Sequence, residues 1–175
     1  MDFLKIVDES ENGFKAIAEK LFNDYAIQTH ESSYRITELE FYWTSKTHKD
    51  GSVYKRIHTN PKTGEWYLHY SGVDIALRND ENEGFGGILI RSIYDLNEKN
   101  ERKIYKGPMI CAMRLFSGTN AFEKFIQARL VQHDQFSKPE IMISERIGLG
   151  KNAAENGADK LRYRFFINHS EATII

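Results

Sequence analysis

The stretch Arg35-Ile36-Thr37-Glu38-Leu39-Glu40-Phe41-Tyr42-Trp43 decides how the rest of the chain is read. It is rich in β-branched and aromatic residues and holds no Gly or Pro, so it reads as a strand. A two-residue period puts Ile36, Glu38, Glu40 and Tyr42 on one face and Thr37, Leu39, Phe41 and Trp43 on the other. Glu40 is flanked by Leu39, Phe41, Tyr42 and Trp43. A carboxylate in an aromatic, poorly solvated setting is a candidate acid or base. Glu38 reads as an ordinary exposed strand carboxylate.

Upstream, Phe14, Ile17, Ala18 and Leu21 recur at helical spacing and predict an amphipathic helix over 13–25. Downstream, residues 44–64 form a long connection with Lys-Asp-Gly and Asn-Pro-Lys-Thr-Gly turn signals. Strands are expected at 66–71, 73–77 and 88–94, and Gly84-Phe85-Gly86-Gly87 reads as a turn rather than a phosphate cradle. Pro108 opens a short apolar helix from Met109 to Leu115. Asn120 with Glu123 suggests a capping box for a helix running to about Gln132. Residues 161–167 alternate again and close the chain as a strand. The elements follow no regular βαβ order and show no internal repeat, so the expected class is α+β, one domain over 1–175 with a mostly antiparallel sheet.

The 175 residues carry 24 Lys+Arg against 25 Asp+Glu, a net charge of −1, and 41% are hydrophobic. Ordinary apolar content with so small a net charge argues against disorder, and the lone Cys111 argues against a disulfide scaffold and reads as a small buried hydrophobe. The balance also excludes a protein that coats nucleic acid indiscriminately. It conceals polarity along the chain: residues 1–33 hold three basic and seven acidic side chains. Residues 44–63 hold five basic side chains, Lys46, Lys49, Lys55, Arg56 and Lys62, against Asp50 alone. His48, Tyr54 and His58 are interleaved, the composition that phosphate contacts and base stacking require. Arg91 stands in the apolar run 87–93 and calls for a carboxylate partner, for which Glu40 is the candidate if the two strands are neighbours. The six histidines have no zinc-ligand spacing, so no metal and no cofactor is expected. No leader pattern and no long apolar run is visible, which points to a cytoplasmic protein without a membrane partner.

These residues fall in the order seen in the alkyladenine (3-methyladenine) DNA glycosylase family, which the chain resembles in dispersed pieces. Residues 35–42 resemble the family's Arg-Ile-x-Glu-x-Glu-Ala-Tyr strand. There the second Glu activates water and the Tyr packs against a flipped base, roles that would fall on Glu40 and Tyr42. His48 would match a histidine of the base pocket, and Arg91 the arginine that helps hold the water. Lys106-Gly107-Pro108, Arg146-Ile147-Gly148-Leu149-Gly150 and Leu161-Arg162-Tyr163-Arg164-Phe165 are similar to three further family segments. Trp66-Tyr67-Leu68-His69-Tyr70-Ser71-Gly72 stands where the family has Tyr-Val-Tyr-x-x-Tyr-Gly. Ser71 thus replaces the Tyr that wedges into DNA and Leu68 replaces a stacking Tyr, with Trp66 and Tyr70 available on the same strand to take over. The resemblance implies a curved, mostly antiparallel sheet flanked by helices. It also implies excision of alkylated or deaminated purines from double-stranded DNA without a metal. The alternative is a divergent member that binds DNA or a nucleobase without cleaving it.

Overall fold

A computed structural model describes residues 2–55, 62–97, 99, 103–117, 122, 128–155 and 157–172. Helix α1 (Glu11–Asp24) begins where Ser10 accepts a hydrogen bond from the Gly13 amide. Its Phe14, Ile17, Ala18, Leu21 and Phe22 are buried, the face that the helical spacing predicts. The chain then enters β1 (Tyr25–Gln28) and turns into β2 (Ser33–Thr44). Beyond these lie β3 (Trp66–His69), β4 (Gly72–Asn79), β5 (Gly84–Asp95) and β6 (Ile104–Lys106). Helix α2 (Pro108–Phe116) follows, with Pro108 in its first turn, as expected from its fixed φ and missing N–H. The last elements are β7 (Arg129–Gln132), β8 (Met142–Ser144), α3 (Lys151–Glu155) and β9 (Arg164–Phe166).

The strands form one sheet in the order β3-β4-β5-β2-β1-β7, with β6 on β5 and β9 bridging β2 and β8. Every pairing is antiparallel. The sheet curls into a half-barrel, so the chain is a single α+β domain. α1 and α2 pack on it, and the core joins α1 and α2 side chains to Ile36, Leu39, Phe41 and Trp43 of β2. Cys111 is buried there, and burial pushes its thiol up to about 12. No helix among the described residues is long and apolar enough to cross a membrane.

The phase of β2 differs from the two-residue reading. Its register with β5 shifts between Ile36 and Glu38 and shifts back between Glu38 and Leu39. Thr37 is the unpaired residue on β2 and Arg91 the unpaired residue on β5. Both strands therefore change face at the same point: Tyr34 and Ile36 share the core with Leu39, Phe41 and Trp43, and Ile93 shares it with Ile90 and Ile88. Such bulges bend a strand and re-aim a side chain. Here the side chain re-aimed is Arg91.

Three further expectations change. Residues 84–87 are not a turn but the start of β5, with 85–87 paired on both sides. Glycine is needed there for clearance, since a Cβ at Gly86 would lie 1.9 Å from the Tyr42 carbonyl oxygen. Residues 129–132 are strand β7 rather than the end of a helix, because they complete the edge of β1. The Asn120–Glu123 capping box lies outside the described residues. The 44–64 connection is partly built: Ser45 Oγ accepts from the amides of Thr47 and His48, and Gly51–Lys55 is a 3-10 helix.

Candidate functional site

A cleft of about 410 Å³ opens on the face of the sheet opposite α1. Its size is that of a small-molecule site. Tyr42, Leu89 and Arg91 line it from β2 and β5, and His69, Tyr70 and Ser71 from the β3–β4 turn. Pro108 and the segment from Ile147 to Gly150 complete the walls, with Ser52 from the 3-10 helix.

Glu40 lies beneath this floor with its side chain fully buried. Its Oε2 accepts from the Tyr42 hydroxyl at 2.8 Å and from Arg91 Nη1 at 3.1 Å. Its Oε1 accepts the Ile147 amide at 3.0 Å. A buried carboxylate is tolerated only when paired and hydrogen-bonded in this way. The bulge at Arg91 makes this possible, because it places one guanidinium between two carboxylates. Arg91 Nε also donates to Glu38 Oε1 at 3.1 Å, and Arg164 Nε donates to the same oxygen at 2.7 Å. Glu38 is thus not an exposed carboxylate; its side chain is 14% exposed and shared by two arginines.

The Ile147 amide is held in place by its neighbour. Arg146 Nη1 and Nη2 donate to the two carboxylate oxygens of Asp50 at 2.6 and 3.0 Å, with both side chains fully buried. The same nitrogens donate to the carbonyls of Phe41 and Ala158. The guanidinium lies 4.6 Å over the Tyr42 ring. This bidentate pair ties the segments around Asp50 and Ile147 to β2.

The expected site residues divide accordingly. Glu40, Arg91 and Tyr42 are brought together, and Tyr70, 73% exposed, stands on the rim of the cleft. His48 is elsewhere. It packs against Phe14 and Tyr163 on the far side of β2, and burial holds its pKa below the usual histidine value. Trp66 also faces away, its indole N–H donating to the Ala128 carbonyl and its ring meeting Phe116 edge-on. Alternation explains this: Trp66 and Tyr70 stand four residues apart, but β3 ends at His69 and Tyr70 belongs to the turn. The histidine that lines the cleft is His69. Lys46 pairs with Glu83 at 2.9 Å, Lys49 donates to the Ser45 carbonyl at 2.6 Å, and Lys62 is exposed; none of the three lines the cleft. Arg56, His58 and the side chains of Tyr54 and Lys55 lie outside what is described.

Glu38, Asp50, Arg146 and Arg164 were not legible as a set, since their partners lie far off in sequence. The one available signal is the alternation Arg162-Tyr163-Arg164, which puts two arginines on one strand face. Compared with protein-family models and with curated proteins, the chain matches none.

Proposed function

We propose that the chain is a cytoplasmic DNA-repair glycosylase of the alkyladenine type, hydrolysing the N-glycosidic bond of an alkylated or deaminated purine flipped out of duplex DNA. The observation that carries this reading is Glu40, buried beneath an open cleft and held by the Tyr42 hydroxyl, Arg91 and the Ile147 amide. A base inside the stack is out of reach, so the nucleotide enters the cleft extruded. Glu40 takes a proton from water as the water attacks the sugar C1′, and the electron-poor base departs without a nucleophilic lysine. Arg91 pairs with the carboxylate and orients the water. Tyr42, Tyr70 and Leu89 offer the flipped base its walls, and phosphate contacts fall to the basic 44–63 segment.

The test is release of free base from duplex containing methylated purines or hypoxanthine. Release that is lost in Glu40→Gln supports the reading; no release by the wild type, or equal release by the variant, overturns it. A second reading, binding without cleavage, is favoured by the hydrogen bonds already made to both Glu40 oxygens and by Ser71 and Leu68 at the wedge and stacking positions. It predicts salt-sensitive binding of lesion-containing duplex with no free base.

A further inference from the structure

The β3–β4 turn carries an arrangement that the glycosidic reading does not use. Ser71 Oγ lies 2.9 Å from His69 Nδ1, and His69 Nε2 lies 3.0 Å from Asp74 Oδ1. The Ser71 amide also donates to Nδ1, at 3.3 Å, which puts the lone pair on Nδ1 and the proton on Nε2, donated to Asp74. The His69 side chain is 8% exposed and that of Asp74 is fully buried. Tyr67 stacks on the imidazole at 5.6 Å. Asp74 fits because residue 87 is glycine: a Cβ there would lie 2.6 Å from its Oδ2. Ser71 and His69 both line the cleft. A hydroxyl, a base that can accept its proton and a carboxylate that fixes the base are the three parts of an activated nucleophile.

We propose that Ser71, His69 and Asp74 form a second reactive centre in which Ser71 attacks carboxylic esters. Ser71 Oγ bonds to the acyl carbon while its proton passes to His69 Nδ1. The ester C–O bond then breaks, and the departing alcohol takes that proton. Water next attacks the acyl carbon, His69 accepts its proton and returns it to Ser71 Oγ, and the carboxylic acid leaves. No co-reactant besides water is needed. Asp74 is a positioning residue that holds the tautomer. Leu89, Pro108 and Leu149 give the acyl group an apolar wall, and Gly148 and Gly150 line the same cleft.

The test is reaction of the full chain with a fluorophosphonate, in which the Oγ–P bond forms as the P–F bond breaks and the serine proton goes to His69. Peptide mass spectrometry then locates the adduct. The expected result is an adduct on Ser71, none in Ser71→Ala, and labelling slowed about a hundredfold or more in His69→Gln. Asp74→Asn slows labelling, because an amide no longer fixes the proton on His69 Nε2, and Asp74→Glu restores part of the rate; a role confined to packing is not rescued by the longer carboxylate. No adduct on wild-type Ser71, or equal labelling in His69→Gln, overturns the proposal. The probe reports on Ser71 whether or not free base is released from DNA, so the two readings fail separately.

Discussion

Two buried carboxylates lie on either side of the Ile147 segment, and they are held in different ways. Asp50 has one guanidinium to itself, bidentate, with both side chains sealed from solvent. Glu40 shares Arg91 with Glu38, and Arg91 is 14% exposed to the cleft. The first arrangement uses both terminal nitrogens of Arg146, on Asp50 and on the carbonyls of Phe41 and Ala158, and fixes three segments in place. The second leaves a charged network one layer beneath open space. A sealed bidentate pair suits a clamp, and a shared guanidinium that reaches the cleft suits the role proposed for Glu40.

Removing one partner of the clamp is the largest perturbation. Arg146→Met leaves Asp50 buried and unpaired, and is expected to cost about 3–5 kcal/mol in urea denaturation. The double variant Arg146→Met/Asp50→Leu recovers most of that loss, because no charge is stranded. A double variant as unstable as the single one would show that the pair is not what Arg146 contributes. Glu40→Gln sits on the other side of the comparison. It keeps the shape and leaves Arg91 with Glu38, so stability falls by about 1–3 kcal/mol. Base release falls by about a hundredfold or more. A variant that loses stability like Arg146→Met but keeps its turnover would reverse the roles assigned to the two carboxylates.

A third carboxylate tests a milder case. Glu9 accepts from Trp43 Nε1, Thr47 Oγ1 and Asn82 Nδ2, tying the turn after β2 to the turn before β5. Burial alone would raise its pKa, but hydrogen bonds from Ser45, Thr47 and Trp43 outweigh that and lower it from 4.5. A lowered folded value means that the stabilisation is present above the unfolded pKa and is lost as pH falls through the folded one. Below about pH 4.5, denaturation midpoints should fall less steeply in Glu9→Gln than in the wild type. Parallel curves would show that Glu9 carries no linkage.

What the sequence revealed follows the range of each signal. The β2 strand, helix α1, Pro108 at the start of α2 and the antiparallel α+β class rest on local patterns, and the structure bears them out. The pairing of Arg91 with Glu40 was legible because an arginine in an apolar strand demands an acid, and few acids stand in neighbouring strands. The double bulge was not, since period-two counting cannot register a residue skipped on both strands at once. Without the bulge Glu38 takes the wrong surroundings and Ile36 the wrong face. His48 is the histidine that the family resemblance, allowing a small deletion, places in the base pocket. The cleft takes His69 instead, because β4 pairs with β5 and so carries the β3–β4 turn to the cleft wall. The Arg146–Asp50 clamp spans 96 residues and leaves no local trace.

The smallest expected effect on stability lies in the basic segment. Lys46 and Glu83 meet at 2.9 Å with side chains 59% and 71% exposed. Solvent screens such a pair, so Lys46→Ala should change stability by under ~0.5 kcal/mol. Its effect on DNA should be larger and specific. A phosphate reaching Lys46 must displace the Glu83 carboxylate, so each side chain acts on affinity with opposite sign. Lys46→Ala should weaken duplex binding and reduce the slope of log affinity against log salt by about one. Glu83→Gln should strengthen binding at low salt, since no carboxylate competes for the ammonium. Binding curves for both variants across a salt series check this. If the two variants shift affinity in the same direction, or Lys46→Ala leaves the slope unchanged, Lys46 contacts no phosphate. The basic character of 44–63 would then be confined to its remaining cations.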